Sequence, residues 1–537
     1  MQTGTAVSQE PTILETRVPL SQSVIWRLQR DFYSRRGLKA WTEDGVPSYI
    51  TSNPFIAEVY ARIVAAFMGD CIGHARGGRE LSAESPLRIV ELGAGTGKFA
   101  YLFLRKLTAL LQEEGIAPQA VRYRLTECSE DLLAFWRTNP CLAEFVASGI
   151  LEFELLRVGD EGAPGSSVDD VADAGEPHKN PLVVIANYVF DSLPQDAFIV
   201  SNGQISEALV TTSTSNSDPA AAPRLGNLQL SFSNAPVPAD HYADKSWNSI
   251  LDGYRNSLPS ATVFFPIAAL ELVQQLGRSS DGRMLLLAAD KGLTREDDLS
   301  LRQGAPELEF HASGQCFSAI VNFDAIARYF WSAGGEAFLP QKRFSNLNLC
   351  AFLHHGPEQD FPATRKTCGQ AAHSFGPDDL FTLMDWLDSH LHEVSLAQAL
   401  AVLRLTRWDA TALLRLFPVI APKLRNANAE RNDLRDAVRS CRANRYPVSP
   451  ADNALAFNCG VILLELRFFA EALELFRISQ QELGSSAATS YNLGLCASGL
   501  GRDDEALAFM VEACELDPAF APARSARARL ESKPEVG

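Results

Sequence analysis

The sequence has no run approaching the ~20 apolar residues that a membrane-spanning helix needs. Its opening stretch, MQTGTAVSQEPTILETRVP, lacks the apolar core of a secretory signal. Ten cysteines are scattered along the chain, and none forms a C-x-x-C pair. No Cys/His group has zinc-site spacing, and the tight pairs His354–His355 and His390-x-His392 miss the i, i+3 or i+4 spacing of helical ligands. No metal site is expected. Free thiols throughout suit a reducing compartment, so a soluble, cytoplasmic protein is expected. Positive charge is also short. Lys and Arg number 48 against 65 Asp and Glu, a net charge of −17. That balance argues against a general nucleic-acid or anionic-membrane binder.

What is present is a long chain of ordinary globular composition. Its 537 residues exceed one domain, and 46% apolar with 21% charged residues argues against wholesale disorder. Residues 1–20 read as a flexible leader. From residue 21 to about 365 the pattern is α/β. Leu87–Leu92 (LRIVEL), Val121–Glu127 (VRYRLTE), Ile150–Leu156, Pro181–Asn187 (PLVVIAN) and Arg283–Ala289 (RMLLLAA) read as strands alternating with helical stretches, and PLVVIAN is almost wholly apolar. Such alternation implies βαβ units and a parallel, doubly wound, Rossmann-like sheet. Near Phe338–Leu353, QKRF and LNLCAFL read as a closing pair of strands. Gly159–Asn180 reads as a mobile acidic loop, and about 198–262 as an insertion of hairpins and loops.

Strand signals vanish after about residue 375, and residues 376–537 read as all-helical. Phe457-Asn458-Cys459-Gly460 matches Tyr491-Asn492-Leu493-Gly494, and Glu471-Ala472-Leu473 matches Glu505-Ala506-Leu507, each pair 34 residues apart. This period resembles the tetratricopeptide repeat, with copies at about 453–486 and 487–520. Small residues at 460, 472, 494 and 506 would let paired helices approach closely.

The first chemical motif is Glu91-Leu92-Gly93-Ala94-Gly95-Thr96-Gly97-Lys98, a strand that turns through alternating glycines into a helix. Such a turn presents free N–H groups and a helix N-terminus to an anionic or polar cofactor. The G-x-G-x-G spacing differs from the dinucleotide G-x-G-x-x-G, and Lys98 is followed by Phe99 rather than the Ser/Thr of a P-loop. Glu127 ends the second strand, where a carboxylate can accept from ribose hydroxyls. Asn187-Tyr188-Val189-Phe190-Asp191-Ser192-Leu193-Pro194 follows the most apolar strand, at the end of an α/β sheet that meets the ligand crevice.

ELGAGTG after an apolar strand resembles motif I of class I S-adenosylmethionine-dependent methyltransferases. Four further segments resemble the MidA-like family, which includes a protein arginine methyltransferase. These are Thr51-Ser52-Asn53-Pro54 with Glu58, NYVFDSLPQDAF (Asn187–Phe198), AADKG (Ala288–Gly292) and FSAIVNF (Phe317–Phe323). Tyr188 stands where that family has Glu, and Asn322 where it commonly has Asp.

The resemblance implies S-adenosyl-L-methionine as cofactor, with Gly93, Ala94, Gly95 and Gly97 shaping its pocket. Glu91 would serve its methionine end, Glu127 its ribose, and Asn187 would lie beside it. Asn187, Tyr188 and Asp191 would face the methyl acceptor. A guanidinium acceptor needs a carboxylate partner, and Asp191 and Glu58 are the candidates. A protein or peptide substrate recruited by the repeats, a small-molecule substrate, or an inactive adaptor each fits this pattern. The partner of the repeats and the oligomeric state are not legible in the sequence.

Overall fold

The computed structural model describes residues 11–73, 81–156, 180–214, 223–280 and 282–532. The expected acidic loop falls on residues 159–180 and, apart from Asn180, lies outside them. The chain divides into two compact units, Met1–Ser52 with Ile56–Asp379 and Asn53–Phe55 with Leu380–Gly537.

In the first unit, Thr12–Val18 (β1) comes first, followed by the helices Val24–Arg36 (α1), Lys39–Thr42 (α2) and Pro54–Gly73 (α3). Then follow Leu87–Leu92 (β2), Lys98–Glu113 (α4), Val121–Glu127 (β3), Glu130–Thr138 (α5), Pro140–Ala147 (α6), Leu151–Leu155 (β4) and Leu182–Asn187 (β5). Asp196–Ser201 (β6), Gln204–Thr214 (β7), Leu228–Pro236 (β8), Lys245–Ser257 (α7), Ser260–Phe265 (β9), Ile267–Ser279 (α8) and Met284–Asp290 (β10) continue the chain. The short strands Gly292–Leu293 (β11) and Val321–Asn322 (β14) pair with each other, as do Glu309–His311 (β12) and Cys316–Ser318 (β13). Glu336–Phe338 (β15) and Asn348–His354 (β16) end the strand series.

A seven-stranded sheet has the order β15-β16-β10-β5-β2-β3-β4. The run from β10 to β4 is parallel, and β16 and β15 join antiparallel. β10 is buried along its whole length, and β5 along all but its last residue, so both faces of the sheet centre are covered. That burial explains their nearly unbroken apolar sequences. The closing pair differs from expectation. QKRF forms no strand, and β15 at Glu336–Phe338 takes that place beside β16.

The remaining strands build a second sheet in the order β1-β7-β6-β9, with β8 beside β7. Two expectations change here. Residues 12–18 of the presumed leader are a strand paired to β7. The expected insertion of hairpins and loops is an ordered antiparallel sheet whose inner face joins Leu20, Trp26, Ala197, Val210 and Phe264 in one core. Alternation along β6 and β7 is irregular because several polar side chains point inward, so the sequence shows strand-like pieces but not the one sheet they build with β1 and β9.

The helical unit contains the pairs Ala454–Glu465 with Phe469–Leu483 and Ala487–Gly499 with Asp503–Leu516. A Cβ on Gly460 would lie 2.8 Å from the Phe476 ring, and one on Gly494 would lie 2.7 Å from Met510 Cε. Ala472 and Ala506 are fully buried. Small residues thus sit where the two helices of each pair come closest. No helix among the described residues is long and apolar enough to cross a membrane.

Candidate active site

The strand ends of β2, β3, β5 and β10 converge on one crevice. After β2, Gly93, Gly95 and Gly97 take φ of +58°, +54° and +76°, a left-handed run that costs a side-chain-bearing residue about 1–2 kcal/mol per position. Gly97 caps α4. Gly93 is exposed, while Gly95 and Gly97 are buried and Ala94 is half-buried. The Ala94 N–H donates to the Thr126 carbonyl at 3.0 Å, and the Thr126 hydroxyl donates to the Glu91 carbonyl at 2.8 Å, so the turn is stitched to β3.

Glu127 is the centre of this arrangement. Its Oε2 accepts from the Gly95 N–H at 3.0 Å, and its Oε1 accepts from the Cys128 N–H at 2.8 Å. Each oxygen keeps a lone pair for a further donor. The Trp136 indole donates to the Gly95 carbonyl at 3.1 Å, fixing the next peptide of the turn, so both backbone polar groups of Gly95 are held.

Glu91 behaves differently. It is 3% exposed and accepts from the Tyr123 hydroxyl at 2.6 Å. Burial pushes its carboxyl up to about 8. It therefore faces the protein interior beneath the turn instead of opening on the crevice.

On the other side, β5 ends at Asn187, whose Oδ1 accepts from the Tyr60 hydroxyl of α3 at 2.7 Å. Asn187 Nδ2 is buried with no hydrogen-bond partner. Tyr188 takes φ +54°, an uncommon conformation for a bulky residue and a mark of a held turn. Asp290, at the end of β10, accepts from the N–H groups of Phe190 (3.0 Å), Asp191 (3.3 Å) and Lys291 (3.2 Å). Asp191 is 7% exposed and Asp290 is fully buried, and the Asp191 N–H donates to the Asp290 carboxyl group, which places the two acids side by side. Burial raises the Asp191 carboxyl to about 6 and lifts Asp290 well above the carboxylate range, with the neighbouring Asp191 charge adding to the latter. Two such groups share a proton instead of both ionising.

Glu58 is not brought to this crevice. It pairs with Arg62 at 2.8 Å and Lys106 at 3.5 Å. It lies two positions before Tyr60, hence on nearly the opposite side of α3. Asn322 accepts from the Ala325 N–H at 3.0 Å and caps the helix Phe323–Ser332.

Three contributors gave no sequence signal. Tyr33 of α1 is half-buried within electrostatic reach of Asp191 and Glu127, and desolvation, with Cys316 and then these acids as neighbours, raises its phenol well above its usual range. Trp41 of α2 lies against Gly95, where a Cβ would be 3.1 Å from the indole. Asp290 sits within AADKG but carried no assigned role.

Residues 77–303 match the family model described as "Putative S-adenosyl-L-methionine-dependent methyltransferase". The match supports a methyltransferase reading of the α/β unit, and the cofactor it supports is S-adenosyl-L-methionine. The chain is similar to a COG1565 superfamily member from Burkholderia thailandensis bound to S-adenosyl-homocysteine, at 20% identity and TM-score 0.39, over 60% of this chain and 74% of that one. A native structure of an uncharacterized COG1565 superfamily protein from the same organism is similar at 19% identity and TM-score 0.33, over 60% and 78%. No curated protein matches.

The residues present suit this cofactor. A glycine turn with one exposed glycine, a strand-end carboxylate with free lone pairs, and an unsatisfied amide donor at Asn187 together offer groups for its polar ends.

Proposed function

We propose that the chain transfers a methyl group from S-adenosylmethionine to a protein or peptide nitrogen. The observation that carries this reading is the Gly95–Glu127 hydrogen bond, which ties the glycine turn to the strand-end carboxylate beside a second, carboxyl-lined wall. Bound there, S-adenosylmethionine supplies a methyl already activated on a sulfonium, which leaves as a neutral thioether when the acceptor takes the methyl. Glu127 and the turn hold and orient the cofactor, a positioning task. Asn187 and Tyr188 line the acceptor side. Asp191, buried and paired with Asp290, accepts the proton that the acceptor nitrogen loses.

Arginine suits this wall as an acceptor. Tyr188 supplies no carboxylate, which leaves Asp191, steadied from behind by the fully buried Asp290, as the carboxyl group to meet a guanidinium. The helical unit, read as tetratricopeptide-like pairs, would deliver an extended peptide or helix, and tethering would raise its local concentration. The close approaches at Gly460 and Gly494 support that reading.

Incubating the full chain with cell lysate and labelled S-adenosylmethionine, then separating products by size, tests this. Label in protein bands, lost when residues after 379 are deleted, agrees with a recruited protein substrate. Label only in small molecules contradicts it.

A further inference from the structure

We propose that Asp196, Glu207 and His241 bind a divalent transition-metal cation, Zn²⁺ by the chemistry of the donors, in the antiparallel sheet. One ligand atom from each of these side chains lies within 4.8 Å of the others. Strand register explains the first two. Asp196 and Phe198 are two apart on β6 and share a face, and Glu207 on β7 stands opposite Phe198. Asp196 and Glu207 are therefore diagonal neighbours on that face, within reach of long side chains. His241 arrives from the connection between β8 and α7.

The second observation is independent of the clustering. Glu207 is 7% exposed, and its Oε1 is buried without a hydrogen-bond partner. Its Oε2 is 4.0 Å from His241 Nε2, too far for a hydrogen bond. Among the described residues no Lys or Arg pairs with Asp196 or Glu207. Two adjacent buried carboxyl groups without a cation are costly.

Asp196 is already held in place. Its Oδ1 accepts from the Ser21 N–H at 3.2 Å and its Oδ2 from the Tyr242 hydroxyl at 2.7 Å, the outer contacts that orient a metal-binding carboxylate. Phe198 packs edge-on to the His241 ring at 5.6 Å, which helps to fix the ring's place beside the two carboxyl groups.

One imidazole and two carboxylates suit Zn²⁺. The absence of thiolate disfavours Cu⁺, and the imidazole disfavours Mg²⁺ and Ca²⁺. Ligand atoms on a tetrahedral Zn²⁺ lie about 3.4 Å apart for bonds of about 2.1 Å, so His241 draws inward on binding. The cation would clip the 237–244 connection to the β6–β7 hairpin, with water in the fourth position.

The test is calorimetric titration of the chelator-treated full chain with Zn²⁺, alongside thermal melts. One tight equivalent is expected, with a higher melting temperature. Glu207→Gln keeps the side-chain volume and should weaken this uptake at least on the order of a hundredfold, since even outer-shell losses cost ten- to hundredfold. It should also abolish the thermal shift. His241→Gln, at a half-buried loop position, repeats the test should the first variant fail to fold. Co²⁺ substitution should give visible bands without the near-ultraviolet charge transfer of thiolates, excluding the free cysteines as ligands. No stoichiometric Zn²⁺ uptake, uptake unchanged in both variants, tighter binding of Mg²⁺, or a thiolate band would overturn the proposal.

Discussion

Glu127 Oε2 accepts from the Gly95 N–H at 3.0 Å, so one hydrogen bond joins the glycine turn after β2 to the end of β3. The geometry of the turn and the placement of the carboxylate are thereby one structural unit, and disturbing either end disturbs both.

Gly95→Ala should show this coupling. The residue sits at φ +54°, and its Cβ would lie 3.1 Å from the Trp41 indole. Conformational strain of about 1–2 kcal/mol is expected. Melting should shift modestly downward while cofactor binding falls about tenfold or more. Unchanged binding in a folded variant would separate the turn from the cofactor site.

The Asp191–Asp290 pair predicts the pH profile of methyl transfer. Asp191, raised by burial to about 6, must be ionised to accept a proton. The rate should climb as pH rises through about 6 and then level off. Asp191→Asn should lose on the order of 10²–10⁴ in turnover, the usual worth of a positioned base, and flatten that limb. A variant with a lower rate and an unchanged profile would assign Asp191 a purely structural role.

Glu91 makes a prediction about stability. Its folded-state pKa of about 8 lies above the ordinary carboxyl value, so between those two values the folded chain binds more protons than the unfolded one. Wild-type stability should therefore fall as pH rises across that window, by up to about 1.4 kcal/mol per pH unit from this group. Glu91→Gln keeps an acceptor for Tyr123 and removes the ionisation. Its melting temperature relative to wild type should rise from pH 5 to pH 9. Parallel melting curves across that range would contradict the buried assignment.

In the helical unit, Gly460→Ala should cost more stability than Gly494→Ala. The new methyl at 460 meets the rigid Phe476 ring at 2.8–3.0 Å. At 494 its nearest neighbour is the flexible Met510 end at 2.7 Å, with the Ala506 carbonyl next at 3.2 Å. Overpacking of about 1–3 kcal/mol is expected at 460, partly offset by the helix propensity of Ala. Chemical denaturation of both variants checks the order.

Strands with one dominant requirement were legible in the sequence. β5 and β10 need apolar residues on both faces, and their composition shows it. The glycine turn and Glu127 were legible because φ > 0 and a strand-end acid leave marks at fixed spacing. Tyr33, Trp41 and Tyr60 reach the crevice from N-terminal helices, a distance no local pattern encodes. Glu58 looked available because it is acidic, yet helix geometry turns it away from Tyr60 and toward Lys106. The hairpins of the second sheet were legible as strand-like pieces, but their joining into one sheet was not, because Asp196 and Glu207 break the alternation, and those same residues form the proposed cation site.

The most direct test of the central claim is calorimetric titration of the full chain with S-adenosylhomocysteine, for wild type and Glu127→Ala. Binding of one equivalent by wild type is predicted. Removing a charged hydrogen-bond partner worth about 1.5–3 kcal/mol should weaken it about ten- to hundredfold in the variant. No binding by wild type, or equal binding by a folded Glu127→Ala, would contradict the assignment of the cofactor to this crevice.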